Sequence, residues 1–222
     1  MSGFKLAIDG PAGSGKSTIS SQIAKKLNWI HIDTGAMYRA VTLKAIELGV
    51  DLEDEKAYQF LESVKVHYQA NKIYLDDRDV TEDIRSDAVT QNVSLVSSFP
   101  YVRQKLVQLQ KQAALEGNIV MDGRDIGTVV IPHADVKIFL TATLEERAKR
   151  RQKENAQKGK TSQLEKVIKD LSVRDQKDST RKESPLIMAE DAIIIDTSYL
   201  TIEEVVDKII EVTRKKERNH GD

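Results

Sequence analysis

Residues 10 to 17 read "GPAGSGKS", the pattern G-x-x-x-x-G-K-[ST], whose types and spacing suit a cradle for phosphate. Glycines let the backbone bend so that successive N–H groups face one anion, and a helix starting at the loop's end adds partial positive charge. The expected contacts of a nucleoside triphosphate are therefore Gly10, Pro11, Ala12, Gly13, Ser14, Gly15, Lys16, Ser17 and Thr18. Lys16 is suited to bridge the outer phosphates, and the Ser17 hydroxyl to take one position on Mg2+. A plain glycine turn is the alternative; the Lys-Ser pair between the apolar "KLAID" and the helical "STISSQIAKKL" argues against it. Asp122, ending "NIVMDG", is either an ordinary turn residue or a carboxylate holding a water on magnesium, and the neighbouring loop favours the second.

A phosphate loop specifies triphosphate binding and leaves the reaction to its surroundings. Three polar clusters are the candidates: "DTGAMYRA" (33–40), "DGRDIG" (122–127) and "VRDQKDSTR" (173–181). They supply Arg39, Arg124, Arg174 and Arg181, and a helix over 100–116 adds Arg103. Arginine's planar fork binds phosphate oxygens bidentately, so arginines at separate strand ends suit two phosphate chains facing each other. Any one of them alone reads equally as a surface ion pair. The segment "RAKRR" (147–151) is either a plain basic helix face or a lid whose Arg147 and Arg151 close over the transferring group and exclude water. Asp33 caps a helix or reaches magnesium through water. The four histidines are scattered, and none sits in a general-base context. A phosphate nucleophile needs no base, because a monophosphate is mostly dianionic at neutral pH.

The bulk properties agree. With 34 Lys and Arg against 35 Asp and Glu in 222 residues, the chain carries no overall charge suited to a nucleic-acid backbone. It has no cysteine, hence no disulfide, thiolate metal site or thiol nucleophile. The start "MSGFKLAIDG" is too short an apolar stretch for a signal peptide, and no run reaches the roughly 18 apolar residues of a membrane span, so a soluble cytoplasmic protein is expected. The charged "RKKERNHGD" at the end reads as a fraying helix.

The elements that must position these groups follow from hydrophobic pattern. Strand-length apolar runs alternate with helical ones: "FKLAID" and a helix over about 15–27, "WIHID" and a helix to about 48, "NIVMDG", "VKIFLTA" and a helix, "AIIIDT" and a final helix. That alternation predicts an α/β fold with a parallel sheet covered on both faces. Ligands of such a sheet gather at the carboxyl ends of its strands, where the first two clusters emerge. Two alternating strands, "VKVHYQ" and "KIYLDD" joined by "ANK", predict a small antiparallel insertion, and "RDVTEDIRS" follows with no helical period. Residues 145–184 carry many charges and little apolar stripe, as in a solvated arm or one that closes over a charged ligand. No internal repeat or low-complexity linker interrupts the chain.

Over essentially its whole length the chain resembles the bacterial cytidylate kinases, a branch of the nucleoside monophosphate kinases. The resemblance rests on "IDGPAGSGKST", "DTGAMYRA", "SSFPYVR", "DGRDIGTVVIPHADVKIFLTAT", "RDQKDSTR" and the Pro185-Leu186 pair. It implies a P-loop kinase with a central parallel five-stranded sheet flanked by helices. The expected parts are a CORE (1–35, 86–145 and 185–222), a monophosphate-binding region with a small antiparallel sheet (36–85), and a lid with an arginine-rich acceptor segment (146–184). It further implies transfer from ATP, with Mg2+, to CMP and dCMP. No exposed apolar repeat demands a partner, so a monomer is expected, and the charge balance and hydropathy add no nucleic-acid or membrane partner. Acceptor phosphate would be held by Arg39, Arg124 and Arg181, with Thr34 and Tyr38 shaping the pocket. Cytosine would be read by Ser94, Arg103 and Asp125, and the sugar by Arg174 and Asp178. Lys16, Arg124, Arg147 and Arg151 are the implied catalytic cations, with Ser17, Asp33 and Asp122 toward magnesium. The rival readings are a kinase of the same architecture for another acceptor and a non-catalytic nucleotide-binding regulator.

Overall fold

The computed structural model describes residues 3–69, 72–157 and 159–220. Five strands form one parallel sheet: β1 (Lys5–Asp9), β2 (Ile30–Asp33), β6 (Ile119–Gly123), β7 (Val136–Thr141) and β8 (Ile193–Asp196), in the order β2-β6-β1-β7-β8. Leu6, Ala7 and Ile8 of the central strand are fully buried, which explains its continuous apolar run: both faces of a parallel sheet are covered by its crossovers. On one face α1 (Lys16–Leu27) and α7 (Ile202–His220) bring Ile19, Ile23, Val205 and Ile209 onto Leu6 and Ile8. On the other, Ile126 and Val130 pack against Ala7, Ile32 and Met121. Register fixes the functional rim, because Asp33 lies opposite Asp122 and Asp9 opposite Gly123. Asp33 and Asp122 therefore stand at one level, with Asp9 one residue further along the central strand.

A second core lies beside the sheet. Met37 and Val41 of α2 (Thr34–Glu47), Val93 of α3 (Asp87–Val96) and Leu106 of α4 (Pro100–Ala113) enclose Tyr58 from a 3-10 segment, Glu55–Glu62. The antiparallel insertion packs into this core through Val66, Ile73 and Leu75. Its strands β3 (Val66–Gln69) and β4 (Lys72–Leu75) pair as the alternation predicts, while the turn expected at "ANK" includes residues 70 and 71, outside the described residues. The expected small antiparallel sheet is present and carries a third strand besides the two read from the alternation. The segment read as lacking a helical period holds β5 (Arg78–Asp79), which pairs with β4, and a 3-10 turn at Asp83–Arg85. Two residues are too few to show an alternating pattern.

The charged stretch is also more ordered than its composition suggests. Helices α5 (Leu144–Gln157) and α6 (Leu164–Thr180) form a hairpin around Ala148, Val167 and Leu171, seated on Ala12 of the phosphate loop. The acidic-basic cluster read as a polar stretch before the last strand is thus mostly the end of α6. A few apolar residues at helical spacing suffice when each helix needs only a narrow buried stripe. The final helix continues through His220, and residues 221 and 222 lie outside the described residues.

Candidate active site

The phosphate loop leaves β1 at Gly10, where a Cβ would stand 2.0 Å from the Leu140 carbonyl oxygen, so only glycine lets the chain pass. Gly13 has φ 78, the left-handed region that glycine enters without penalty, and Gly15 has φ 91 where α1 begins. The loop opens into a cleft of about 480 Å³. Ala12, Gly13, Gly15, Lys16, Ser17 and Thr18 line it. Gly10, Pro11 and Ser14 form the loop's back instead, and Ser14 is fully buried. Lys16 Nζ donates to Pro11 O at 2.7 Å and Ser14 Oγ at 3.3 Å. Burial, then the nearby Arg124 charge, holds this ammonium well below the usual lysine range. An anionic ligand would supply the charge it lacks.

Beside the loop, Ser17 Oγ donates to Asp122 Oδ2 at 2.7 Å, and His31 Nε2 lies 2.7 Å from Asp122 Oδ1. Asp33 Oδ1 accepts from Ala36 N–H at 3.1 Å and so caps α2, while its side chain also lines the cleft. Burial first, then the Asp122 charge, raises the Asp33 carboxyl above its ordinary value. Ser17, Asp33 and Asp122 make an all-oxygen donor set, the chemistry suited to Mg2+ that retains several waters. These residues fit the ion. The cap geometry also satisfies the simpler expectation for Asp33.

Across the cleft stand the arginines. Arg39 Nη1 donates to Thr90 Oγ1 at 2.9 Å and Ile84 O at 3.2 Å. Arg124 Nε donates to Asp178 Oδ2 at 2.8 Å. Arg103 Nη2 donates to Asp125 Oδ2 at 2.6 Å, with its guanidinium carbon 5.2 Å from the Tyr38 ring centroid. Arg181 lies 3.6 Å from both Asp125 and Asp178. Thr34 Oγ1 donates to Asp122 O at 2.8 Å, closing the pocket against Gly123. The cleft holds seven arginines and Lys16 against five carboxylates, a positive excess in a chain of net charge −1. Its effect shows in Arg39, pushed down to about 10 by burial and then by Arg151, and in Arg174, pushed down to about 9 by burial and then by Arg124. Ser94 Oγ, Arg103 Nε, Arg174 Nε and Arg181 Nη2 are buried without hydrogen-bond partners, as expected where a polar ligand completes the set.

Besides Gly10, Pro11 and Ser14, two further expected residues stand apart from the cleft wall. Ser94 is placed behind Thr90, Val93 and Ser97, which line it. Arg147 departs further from the lid expectation: its guanidinium donates to Ala12 O at 3.0 Å and Ala142 O at 3.1 Å and pairs with Asp175 at 2.7 Å. It braces the loop from outside, because its fork has been used on backbone carbonyls. Arg151 does line the cleft. Sequence reasoning missed Asp9, Arg85, Thr90, Ser97 and Asp175. All but Thr90 lay inside quoted segments, Asp9 in "IDGPAGSGKST", Arg85 in "RDVTEDIRS", Ser97 in "SSFPYVR" and Asp175 in "RDQKDSTR", and none differs in type from an ordinary helix or turn residue.

A parallel sheet with a phosphate loop at its centre and a cationic pocket opposite defines a P-loop kinase fold. A gluconokinase structure from Sinorhizobium meliloti 1021 superposes with a TM-score of 0.50 at 12% identity, over 97% of this chain and 94% of that one. A structure of an uncharacterized protein from Eubacterium ventriosum ATCC 27560 gives 0.51 at 13% identity, covering 95% and 98%. At such identity they speak for the fold alone. The chain belongs to the cytidylate kinase family, whose model matches residues 6–215. Curated cytidylate kinases include one from Acholeplasma laidlawii (strain PG-8A), 58% identical over 212 residues and 96% of each chain. Another, from Onion yellows phytoplasma (strain OY-M), is 50% identical over 98% of this chain and 99% of the relative.

Proposed function

We propose that the protein transfers the γ-phosphoryl of ATP to CMP or dCMP, giving CDP or dCDP for pyrimidine nucleotide metabolism. The observation that carries this reading is the opposition of two anion sites in one cleft: the loop with Lys16, and the pocket of Arg39, Arg124 and Arg181. A nucleotide-binding regulator needs only the first. Loop N–H groups and Lys16 bind the β- and γ-phosphates, while Arg39, Arg124 and Arg181 fix the acceptor phosphate and align its oxygen for in-line attack. Ser17, with Asp122 and Asp33 through water, would hold Mg2+, which would supply neutralisation of the triphosphate charge. Asp125 accepts from the exocyclic amine of cytosine and, with Arg103 and Ser94, selects it over uracil; an unmatched base would leave these buried groups unpaired. Arg174 and Asp178 take the sugar.

Residues 146–184 act as the lid, with Arg151 over the transferring group and Arg147 bracing the loop beneath it. The regions 1–35, 86–145 and 185–222 stay as the CORE, and 36–85 follows the monophosphate. The protein works in the cytoplasm as a monomer, without nucleic-acid or membrane partners. No helix among the described residues is long and apolar enough to cross a membrane.

ADP formation from ATP and Mg2+, with CMP, dCMP, UMP, AMP, GMP or a hydroxy acid supplied in turn, tests the reading. CMP and dCMP are expected to support the fastest turnover. Equal rates with UMP would remove the role given to Asp125, and no turnover with any nucleotide would remove the kinase.

A further inference from the structure

Asp9 takes no direct part in the reaction described above, yet it is 5% exposed at the carboxyl end of the central strand, one residue before the phosphate loop. Both carboxylate oxygens accept from backbone: Oδ1 from Ile126 N–H at 2.8 Å and Oδ2 from Gly127 N–H at 2.7 Å. These are the two residues after Asp125, and they open a single wide π-helical turn, Ile126–Val130. The Asp125 side chain is engaged with Arg103 and Arg181, and its backbone (φ −144, ψ 26) is tied into the turn through its carbonyl, which accepts from Val129 N–H at 2.9 Å and Val130 N–H at 3.2 Å. Asp9 grips the chain immediately beyond it.

The charged groups nearest Asp9 are occupied. Lys16 Nζ is bound to Pro11 O and Ser14 Oγ, and Lys137, packed where a Cβ on Gly127 would meet its Cδ at 3.1 Å, sends its ammonium to Asp191 at 2.8 Å. Asp125 adds a like charge. Among the described residues no lysine or arginine is within ion-pair distance of Asp9, and a buried carboxylate held by amides alone is unfavourable unless its two acceptors are both needed. Asparagine would offer one acceptor and present an NH2 to the other amide.

We propose that Asp9 is a positioning residue that ties the phosphate loop to the acceptor-recognition turn, so that the pose of Asp125, and with it cytosine selection, depends on the Asp9 carboxylate. Gly10 makes the link stiff, since its close approach to Leu140 O prevents the loop's first residue from shifting independently of the sheet. The inference rests on Asp125 reading the base, as proposed above.

The test is Asp9→Asn in the full chain, with a thermal melt to confirm folding. The KM for CMP is expected to rise, and the CMP-to-UMP ratio of kcat/KM to fall, each about tenfold, as when one hydrogen bond to a charged group is lost. Affinity for a non-hydrolysable ATP analogue without acceptor should stay within about threefold, a split that general loosening would not produce. An unchanged ratio, or equal weakening of both nucleotides, overturns the proposal. If the variant does not fold, or if wild-type protein shows no CMP preference and so fails the function reading itself, the wild-type amide resonances decide. Those of Ile126 and Gly127 should move when the ATP analogue alone is added, with the loop's own saturation curve, and stationary resonances overturn the coupling.

Discussion

Arg103 Nη2 and Asp125 Oδ2 stand 2.6 Å apart with both side chains buried, 2% and 4% exposed by residue. Arg181 flanks the same carboxylate at 3.6 Å. Removing one side of such a pair strands a buried charge, which typically destabilises by about 3–5 kcal/mol. Asp125→Ala should therefore lower the urea unfolding midpoint by that order and also reduce CMP discrimination. A midpoint matching the wild type would mean that solvent or a rearranged carboxylate already compensates Arg103.

Lys16 makes the opposite case. Its ammonium is desolvated and held below the usual lysine range, so it contributes little to folding and much to an anion that arrives later. Lys16→Ala is expected to lose about 10²- to 10³-fold in rate, the order associated with one preorganised charge stabiliser, while the unfolding midpoint holds or rises. Turnover at the wild-type rate would refute the loop assignment.

Arg174 should show the same trade. Burial and the Arg124 charge push it down to about 9, a sign of like charges crowded together in the absence of ligand. Arg174→Gln should raise the thermal midpoint of the free protein and weaken CMP binding measured by calorimetry. A lowered midpoint would show that Arg174 is structurally paired.

Two carboxylates give stability a pH dependence of opposite sign. Burial raises Asp9 from 3.8 to about 6, against the two amides that favour its charge. The folded state therefore holds this proton more tightly than the unfolded one, and stability falls as pH climbs from about 4 to about 6, by roughly 3 kcal/mol. Asp178 is shifted down: burial opposes its charge, but Arg124 and Arg174 outweigh that. Its contribution is present above the ordinary carboxylate range and lost as pH drops through the folded value. Unfolding free energies of wild type and Asp9→Asn between pH 4 and 7 should diverge, the variant gaining on the wild type as pH rises. Parallel curves would show that Asp9 ionises normally.

Much of this protein was legible in its sequence, because several determinants are local. Apolar runs wide enough to be buried on both faces specify parallel strands, "GPAGSGKS" specifies its own turn and helix start, and an aspartate before "TGAMYR" specifies a cap. The alternation in "VKVHYQ" and "KIYLDD" located the small sheet, although β5 was too short to leave a pattern. Side-chain partnership was not local. Arg147 and Arg151 lie one helical turn apart in the same basic run, yet one braces Ala12 from behind and the other faces the cleft. A helix's orientation toward its neighbours decides this, and "RAKRR" is basic on every side. Asp9 reads as a strand's last residue before a glycine turn. Only the crossover that brings residues 126 and 127 within 2.8 Å, more than 110 positions along the chain, makes it a link between the two halves of the site. The sequence by itself determined which elements form and which charges are available; the tertiary structure decided which charges meet, because hydrogen-bond partners are chosen by strand register and helix packing across long separations.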